Sequence, residues 1–257
     1  MKLMKRNTFH LVMPLLFVLF AASCTKKGDT GPAGPAGPPG TSVYKGIVDG
    51  HVIVYDQYGS KKTSGLDGVQ VTLKGVSTVV TDASGYFVFN NVSTGDYTIT
   101  ASGAGLGGTT VYNVPFLKDS IYTDVKMSQI PAFNLSTFTA YHNTGSQYDS
   151  LVMTFPGDAR VRNCIVFVNK TSNAGNMPGD YLLTYVKALP ANTWSTTVVL
   201  RIPVADLNSL NLYFGDKVYY GAASYVVNDA SLYEDHSSTQ NVYSAVGTVL
   251  VDSTVCP

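Results

Sequence analysis

From residue 44 to residue 255 the chain is a succession of short runs of Val, Ile, Thr, Tyr and Phe, each cut off by Gly, Pro, Asp or Asn. Turn signals about every 8–12 residues leave no room for a long helix and direct a chain into many short strands. Helix formers are also scarce. The 17 acidic residues include a single Glu, Glu234, whereas Tyr alone numbers 17. β-Branched and aromatic side chains suit a pleated, half-buried surface. The expected fold class is all-β, built as β-sandwich domains; α-bundles, coiled coils and α/β enzyme folds are excluded.

Residues 1–23 read as an address. Lys2, Lys5 and Arg6 precede an apolar run from Leu11 to Ala22, and no acid lies among them. The run is shorter than the roughly 20 residues that cross a bilayer. Small residues, Ala21-Ala22-Ser23, close it, as in a secretory signal peptide. With Cys24 next, the segment resembles a bacterial lipoprotein signal, although Ala21 stands where Leu is usual. The resemblance implies a diacylglycerol on Cys24, cleavage just before it, and a lipid anchor in the outer membrane, on its periplasmic or cell-surface face. Removal of 1–23 leaves 14 basic against 17 acidic residues. Such a chain has no basic field for nucleic acid or anionic lipid. Gly28, Gly31, Gly34, Gly37 and Gly40 then recur at every third position. This linker, 24–41, is collagen-like but short, and is expected to act as a polyproline-II tether of about 3.1 Å per residue on a monomeric protein.

The first folded domain is expected over 42–129. Val69, Val71 and Leu73 alternate with Gln70 and Thr72, marking a strand with one buried face. Asp82-Ala83-Ser84-Gly85 has the Asp-first, Gly-last form of a type I turn, and is expected to close a hairpin before Tyr86–Phe89. The motifs Gly46–Asp49, Gly68–Gly75, Thr81–Phe89 and Gly95–Ile99 occur in an order that resembles the carboxypeptidase regulatory-like domain, a transthyretin-like β-sandwich. The resemblance implies an accessory role rather than proteolysis. It also implies a fold grouped with carbohydrate-binding modules, which makes glycan binding an analogy at the level of fold.

The second folded domain is expected over 130–257, with strand-like runs at 136–141, 150–155, 161–169, 181–186, 194–202, 218–227 and 242–251. Trp194, Val198, Leu200 and Ile202 share one face of their run, and Val204–Leu210 suggests a helical turn. Seven runs in this length resemble an immunoglobulin-like or fibronectin type III-like sandwich.

Little in the chain suggests catalysis. His51, His142 and His236 are widely spaced, and neither a metal-ligand nor a nucleophile motif is present. No catalytic residue, metal or cofactor is expected, and Tyr233-Glu234-Asp235-His236 reads as an exposed loop. Cys164 and Cys256 are expected to pair in an oxidising compartment, with two free thiols as the alternative. A bridge between them would contribute about 4–5 kcal/mol by loop entropy. Tyr141, Trp194 and Tyr233 are the candidate ligand-binding rings, since aromatic faces stack on sugars and anchor interfaces. Three strings, Asp119-Ser120-Ile121, Asp149-Ser150-Leu151 and Asp252-Ser253-Thr254, resemble an O-glycosylation motif of Bacteroidota. The expected function is a non-enzymatic, lipid-anchored envelope protein presenting a binding or adhesion surface to a glycan or an envelope protein. The alternative is a polysaccharide-binding accessory lipoprotein.

Overall fold

The computed structural model describes residues 44–256, together with 31, 33 and 34. The expected signal peptide, Cys24 and the remainder of the Gly-Pro segment lie outside the described residues.

Eight strands make the first half: β1 (Lys45–Tyr55), β2 (Gln70–Leu73), β3 (Ser77–Val80), β4 (Tyr86–Ser93), β5 (Gly95–Ser102), β6 (Thr109–Phe116), β7 (Ser120–Tyr122) and β8 (Val125–Ser128). β1 pairs antiparallel with β4 and parallel with both β7 and β8; the facing sheet has the order β3-β2-β5-β6. Alternation along β1 sends Val48, Val52 and Val54 inward and leaves Asp49, His51 and Tyr55 on the outer face. The buried set, including Phe87, Phe89, Leu73, Ile99, Phe116 and Met127, fills the space between the sheets. Each such side chain contributes about 1.5–3 kcal/mol by leaving water.

Gly50 breaks the inward row of β1 for a reason. A Cβ there would lie 1.9 Å from the Thr123 carbonyl oxygen. Its absence lets the chain from β7 to β8 cross close over β1, and the Thr123 amide donates to Asp49 O at 2.8 Å. The Asp82–Gly85 turn forms as expected, with Asp82 Oδ1 accepting from the Ser84 and Tyr86 amides and Gly85 at φ +83°. It does not close a hairpin. β3 pairs with β2 and β4 with β1, so the turn carries the chain from one sheet to the other.

The second half contains β9 (Thr137–His142), β10 (Tyr148–Phe155), β11 (Arg162–Asn169), β12 (Leu183–Leu189), β13 (Thr196–Pro203), α1 (Val204–Ser209), β14 (Lys217–Tyr225), β15 (Tyr233–Asp235), β16 (Gln240–Val242) and β17 (Leu250–Val255). Three strands, β13-β10-β9, face four, β12-β11-β14-β17. Leu151, Met153, Phe155, Val166, Val168 and Tyr220 are buried between them. β11 is buried on both faces. The chain between β14 and β17 folds back over the outer side of the four-stranded sheet, where Phe167 meets Tyr181 and Tyr243 edge-on or tilted, with ring centroids 5.9 and 5.6 Å away. A strand covered on both sides has no polar face, which is why Cys164–Val168 reads as a continuous apolar run.

The run 242–251, expected as one strand, is instead divided. It ends β16, crosses a loop, and opens β17. The expected bridge is also corrected: Cys164 and Cys256 are both buried free thiols. Cys164 lies opposite Ser224, near one end of β14, while the Cys256 amide donates to Asp216 O just before the other end. That separation is roughly 25 Å at ~3.3 Å per residue, whereas a disulfide needs Cα atoms within about 7 Å.

The two halves belong to one compact unit. Tyr58 donates to Asp158 Oδ2 at 2.6 Å, and the Arg160 guanidinium lies 3.4 Å over the Tyr58 ring. Gly107 packs against Ala245, whose amide nitrogen would lie 2.7 Å from a Cβ at that position. No helix among the described residues is long and apolar enough to cross a membrane.

Candidate functional site

A cleft of about 440 Å³ opens between the β6 edge of the first half and the β15–β16 hairpin of the second, its wall including Tyr112, Asp124, Lys126, Tyr233, Glu234 and His236. A depression of about 520 Å³ beside α1 is larger, but none of Ser146, Gln147, Tyr148, Pro203, Val204, Ala205 and Asn208, which line it, carries a charge.

Local sequence builds the cleft from both sides. On β6 the pairing with β5 shifts register between Tyr97 and Ile99, where Tyr112 and Asn113 face one residue of the partner. Asn113 takes φ +55°, a conformation Asn tolerates better than most residues. The bulge changes the alternation, so Val114 and Phe116 point inward while Tyr112 reaches the cleft; re-aiming a side chain is a common use of a bulge. On the other side, Asp235 ends β15 and holds the turn. Its carboxylate accepts from Ser237 Oγ at 2.5 Å and Ser238 Oγ at 2.7 Å, and its carbonyl accepts from the Thr239 amide at 2.8 Å. Those bonds, Ser237 first, hold the Asp235 carboxyl below its ordinary range. The turn offers His236, whose ring lies flat on Tyr112 with centroids 3.7 Å apart and planes 15° from parallel.

The wall thus combines a stacked aromatic pair, two carboxylates, one ammonium and the Tyr233 hydroxyl. Aromatic faces take the C–H faces of a sugar, while carboxylate and ammonium groups bind its hydroxyls directionally. Among the described residues no group of three or more His, Cys, Asp or Glu side chains converges as a metal site. The segment 233–236, expected as an exposed loop, is one strand and the start of a hairpin turn.

Of the three candidate rings, only Tyr233 lines this cleft. Tyr141 is on β9 opposite Ser150, on the solvent face of the three-stranded sheet. Trp194 precedes β13 at the far end of that sheet and is 79% exposed. Its expected sharing of a face with Val198, Leu200 and Ile202 is therefore overturned. Asn192 Oδ1 accepts from the Trp194 amide at 3.0 Å, and Thr193–Trp194 pass directly over Gly157, so the chain turns before the strand begins. Tyr112 and His236, the pair that defines the cleft, were not among the ring candidates from sequence. The register shift and Asn113 beside Tyr112 are the only local signs of it.

The histidines remain apart. His51 is on β1, His236 is in the cleft, and His142 is inside the second half. His142 Nδ1 lies 2.8 Å from Asp149 Oδ1, and the Tyr220 hydroxyl donates to the same carboxylate. Burial, then this bond, push the Tyr220 phenol far above its ordinary value. Asp149 is fully buried and belongs to this core network, whereas Ser150, its neighbour in the Asp149-Ser150-Leu151 string, is half-buried on the opposite face of β10.

Residues 54–127 match the carboxypeptidase regulatory-like domain, from the end of β1 into β8. The earlier Gly46–Asp49 motif falls outside that match. No curated protein matches the chain. Solved structures similar to it include a chain of a type II cohesin–X-dockerin complex from Acetivibrio cellulolyticus, 22% identical, covering 33% of this chain and 58% of that one, with a TM-score of 0.28. Another is a candidate carbohydrate binding protein from Bacteroides uniformis, 17% identical, covering 81% and 99%, with a TM-score of 0.31. A DUF3823 family protein from Parabacteroides merdae is 15% identical over 80% and 98%, with a TM-score of 0.29. The chain thus spans 58% of the length of the first of these. At these identities and TM-scores the likenesses decide nothing about a ligand.

Proposed function

We propose that this is a lipid-anchored cell-envelope protein that binds carbohydrate, non-enzymatically, in the cleft between a carboxypeptidase regulatory-like domain and a fibronectin type III-like domain. The observation that carries the reading is the Tyr112–His236 stack, set between Asp124, Lys126 and Glu234 in an open cleft. Seven of the nine strands of the second half, three facing four, support its assignment as fibronectin type III-like. Cys24 and its preceding small residues support the anchor, since two acyl chains give stable membrane attachment where one does not. The adhesion reading has its own support in the exposed Tyr141 of the three-stranded sheet and Trp194 in the turn before β13, 39% and 79% exposed.

Titration calorimetry of the full chain against soluble glucans, xylans and mannans separates the two. Saturable binding is expected, weakened about tenfold, equivalent to 1.4 kcal/mol, by Tyr112→Ala or His236→Ala and unchanged by Trp194→Ala. Binding that survives Tyr112→Ala and disappears with Trp194→Ala would move the site to the sheet. Absence of binding to every polysaccharide would remove the carbohydrate reading.

A further inference from the structure

A second polar–aromatic cluster lies on the outer face of the β1 sheet. His51 on β1 is the cross-strand partner of Tyr86 on β4, and Asp49 is the partner of Tyr122 on β7. The His51 ring centroid is 5.3 Å from that of Tyr86 and 6.0 Å from that of Tyr122. The rings are tied together at their edges. His51 Nδ1 lies 2.8 Å from the Tyr122 hydroxyl, and the Tyr86 hydroxyl donates to Asp49 Oδ2 at 2.9 Å. Tyr122 is 58% exposed, so the row faces solvent. Asp124, two residues beyond Tyr122 in the chain, is part of the cleft wall. The segment 122–124 therefore runs from the outer row to the cleft wall.

We infer that the cleft's ligand is an extended, uncharged saccharide chain, whose units beyond the cleft cross Asp124 and lie along Tyr122, His51 and Tyr86. This rests on the carbohydrate reading of the cleft and assigns it a longer, polymeric ligand. The ring spacing is comparable with one pyranose unit, so successive units can each meet a ring. Asp49, Asp82 and Asp124 supply acceptors for sugar hydroxyls and repel uronate or sulfate groups, which makes the row complementary to a neutral chain. The hydrogen bonds already hold the rings in place, which lowers the ordering cost of binding.

The test is calorimetric titration of the full chain with cello-, xylo-, manno- and malto-oligosaccharides, disaccharide through hexasaccharide, and with hexagalacturonate. For at least one neutral series, affinity is expected to rise about tenfold or more with length. Tyr86→Ala and Tyr122→Ala flatten that rise and leave the disaccharide within about twofold of the unmodified chain, while Tyr112→Ala weakens every length. Tyr122→Ala is the decisive variant, since its side chain is largely exposed and its loss leaves the core intact. A length dependence unchanged in both outer variants would overturn the extended-chain inference and leave the cleft reading standing. Hexagalacturonate binding as tight as the neutral hexasaccharide would also overturn it. Failure of Tyr112→Ala to weaken any length would refute the cleft reading, and the inference with it.

Discussion

Ser128 and Ser231 are joined across the junction of the two halves: Ser231 Oγ accepts from the Ser128 amide at 2.7 Å and donates to Gly107 O at 3.0 Å. Ser128 Oγ in turn accepts from the Ala230 amide at 2.7 Å. Both serines are buried, at 1% and 0% exposure. Ser231→Ala leaves the Ser128 amide without this acceptor. The expected cost is about 1–3 kcal/mol, the penalty of a buried unsatisfied polar group. Urea unfolding followed by circular dichroism reads it as a lower midpoint; an unchanged midpoint would mean that water replaces the hydroxyl.

Gly50 holds the segment that brings Tyr122 and Asp124 to their places. A Cβ 1.9 Å from the Thr123 carbonyl oxygen must displace backbone rather than a flexible side chain. Gly50→Ala is expected to destabilise the protein by about 1–3 kcal/mol, as overpacking does. It should also change the amide resonances of residues 120–126 more than those of β9–β17. Uniform shifts across both halves would contradict the local account.

Asp158 and Asp229 respond to acid with opposite signs. The Tyr58 hydroxyl, followed by Arg160, holds the Asp158 carboxyl down to about 2, from an ordinary 3.8. A carboxyl lowered by folding stabilises the protein above its unfolded value and loses that contribution as pH falls through the folded one. Asp158→Asn should cost at most about 1 kcal/mol at neutral pH, since the pair lies near solvent, and the difference should vanish below about pH 2. Burial pushes Asp229 upward, against hydrogen bonds led by the Ser231 amide. Its contribution is fully present below the unfolded value and is lost as pH rises through the folded one. The stability of Asp229→Asn relative to the unmodified chain is therefore expected to increase from acid to neutral pH. Unfolding midpoints measured across that range would show both trends, and parallel pH profiles would contradict them.

Burial pushes the Cys164 thiol up to about 12 and raises Cys256 as well. Thiolates are the reactive form, so neither cysteine should be alkylated in the native protein. Both should be alkylated after unfolding without reductant. A peptide map showing Cys164 and Cys256 still linked under those conditions would contradict the separation along β14.

The all-β class was legible because alternation and turn chemistry are local. Val69–Leu73 reads as a half-buried strand from its own residues, and Asp82–Gly85 reads as a turn from its own hydrogen-bonding groups. The destination of that turn was not legible, because the partner strand is a tertiary choice. The helical turn at 204–210 also appears, as α1. The turn that takes Trp194 off the strand face went unread, since alternation carries no information on where a strand starts, and Gly157 decides that from outside the run.

The residue pattern alone determined that this chain makes short strands with one or two buried faces, since side-chain period and turn preference act within a few residues. Only the tertiary structure decided the pairing of Tyr112 with His236, the meeting of Tyr122 with His51, and the separation of Cys164 from Cys256. Those relationships join residues far apart in the chain. They depend on register, on one bulge at Asn113 and on a backbone crossing at Gly50, where a few ångströms settle which side chains meet.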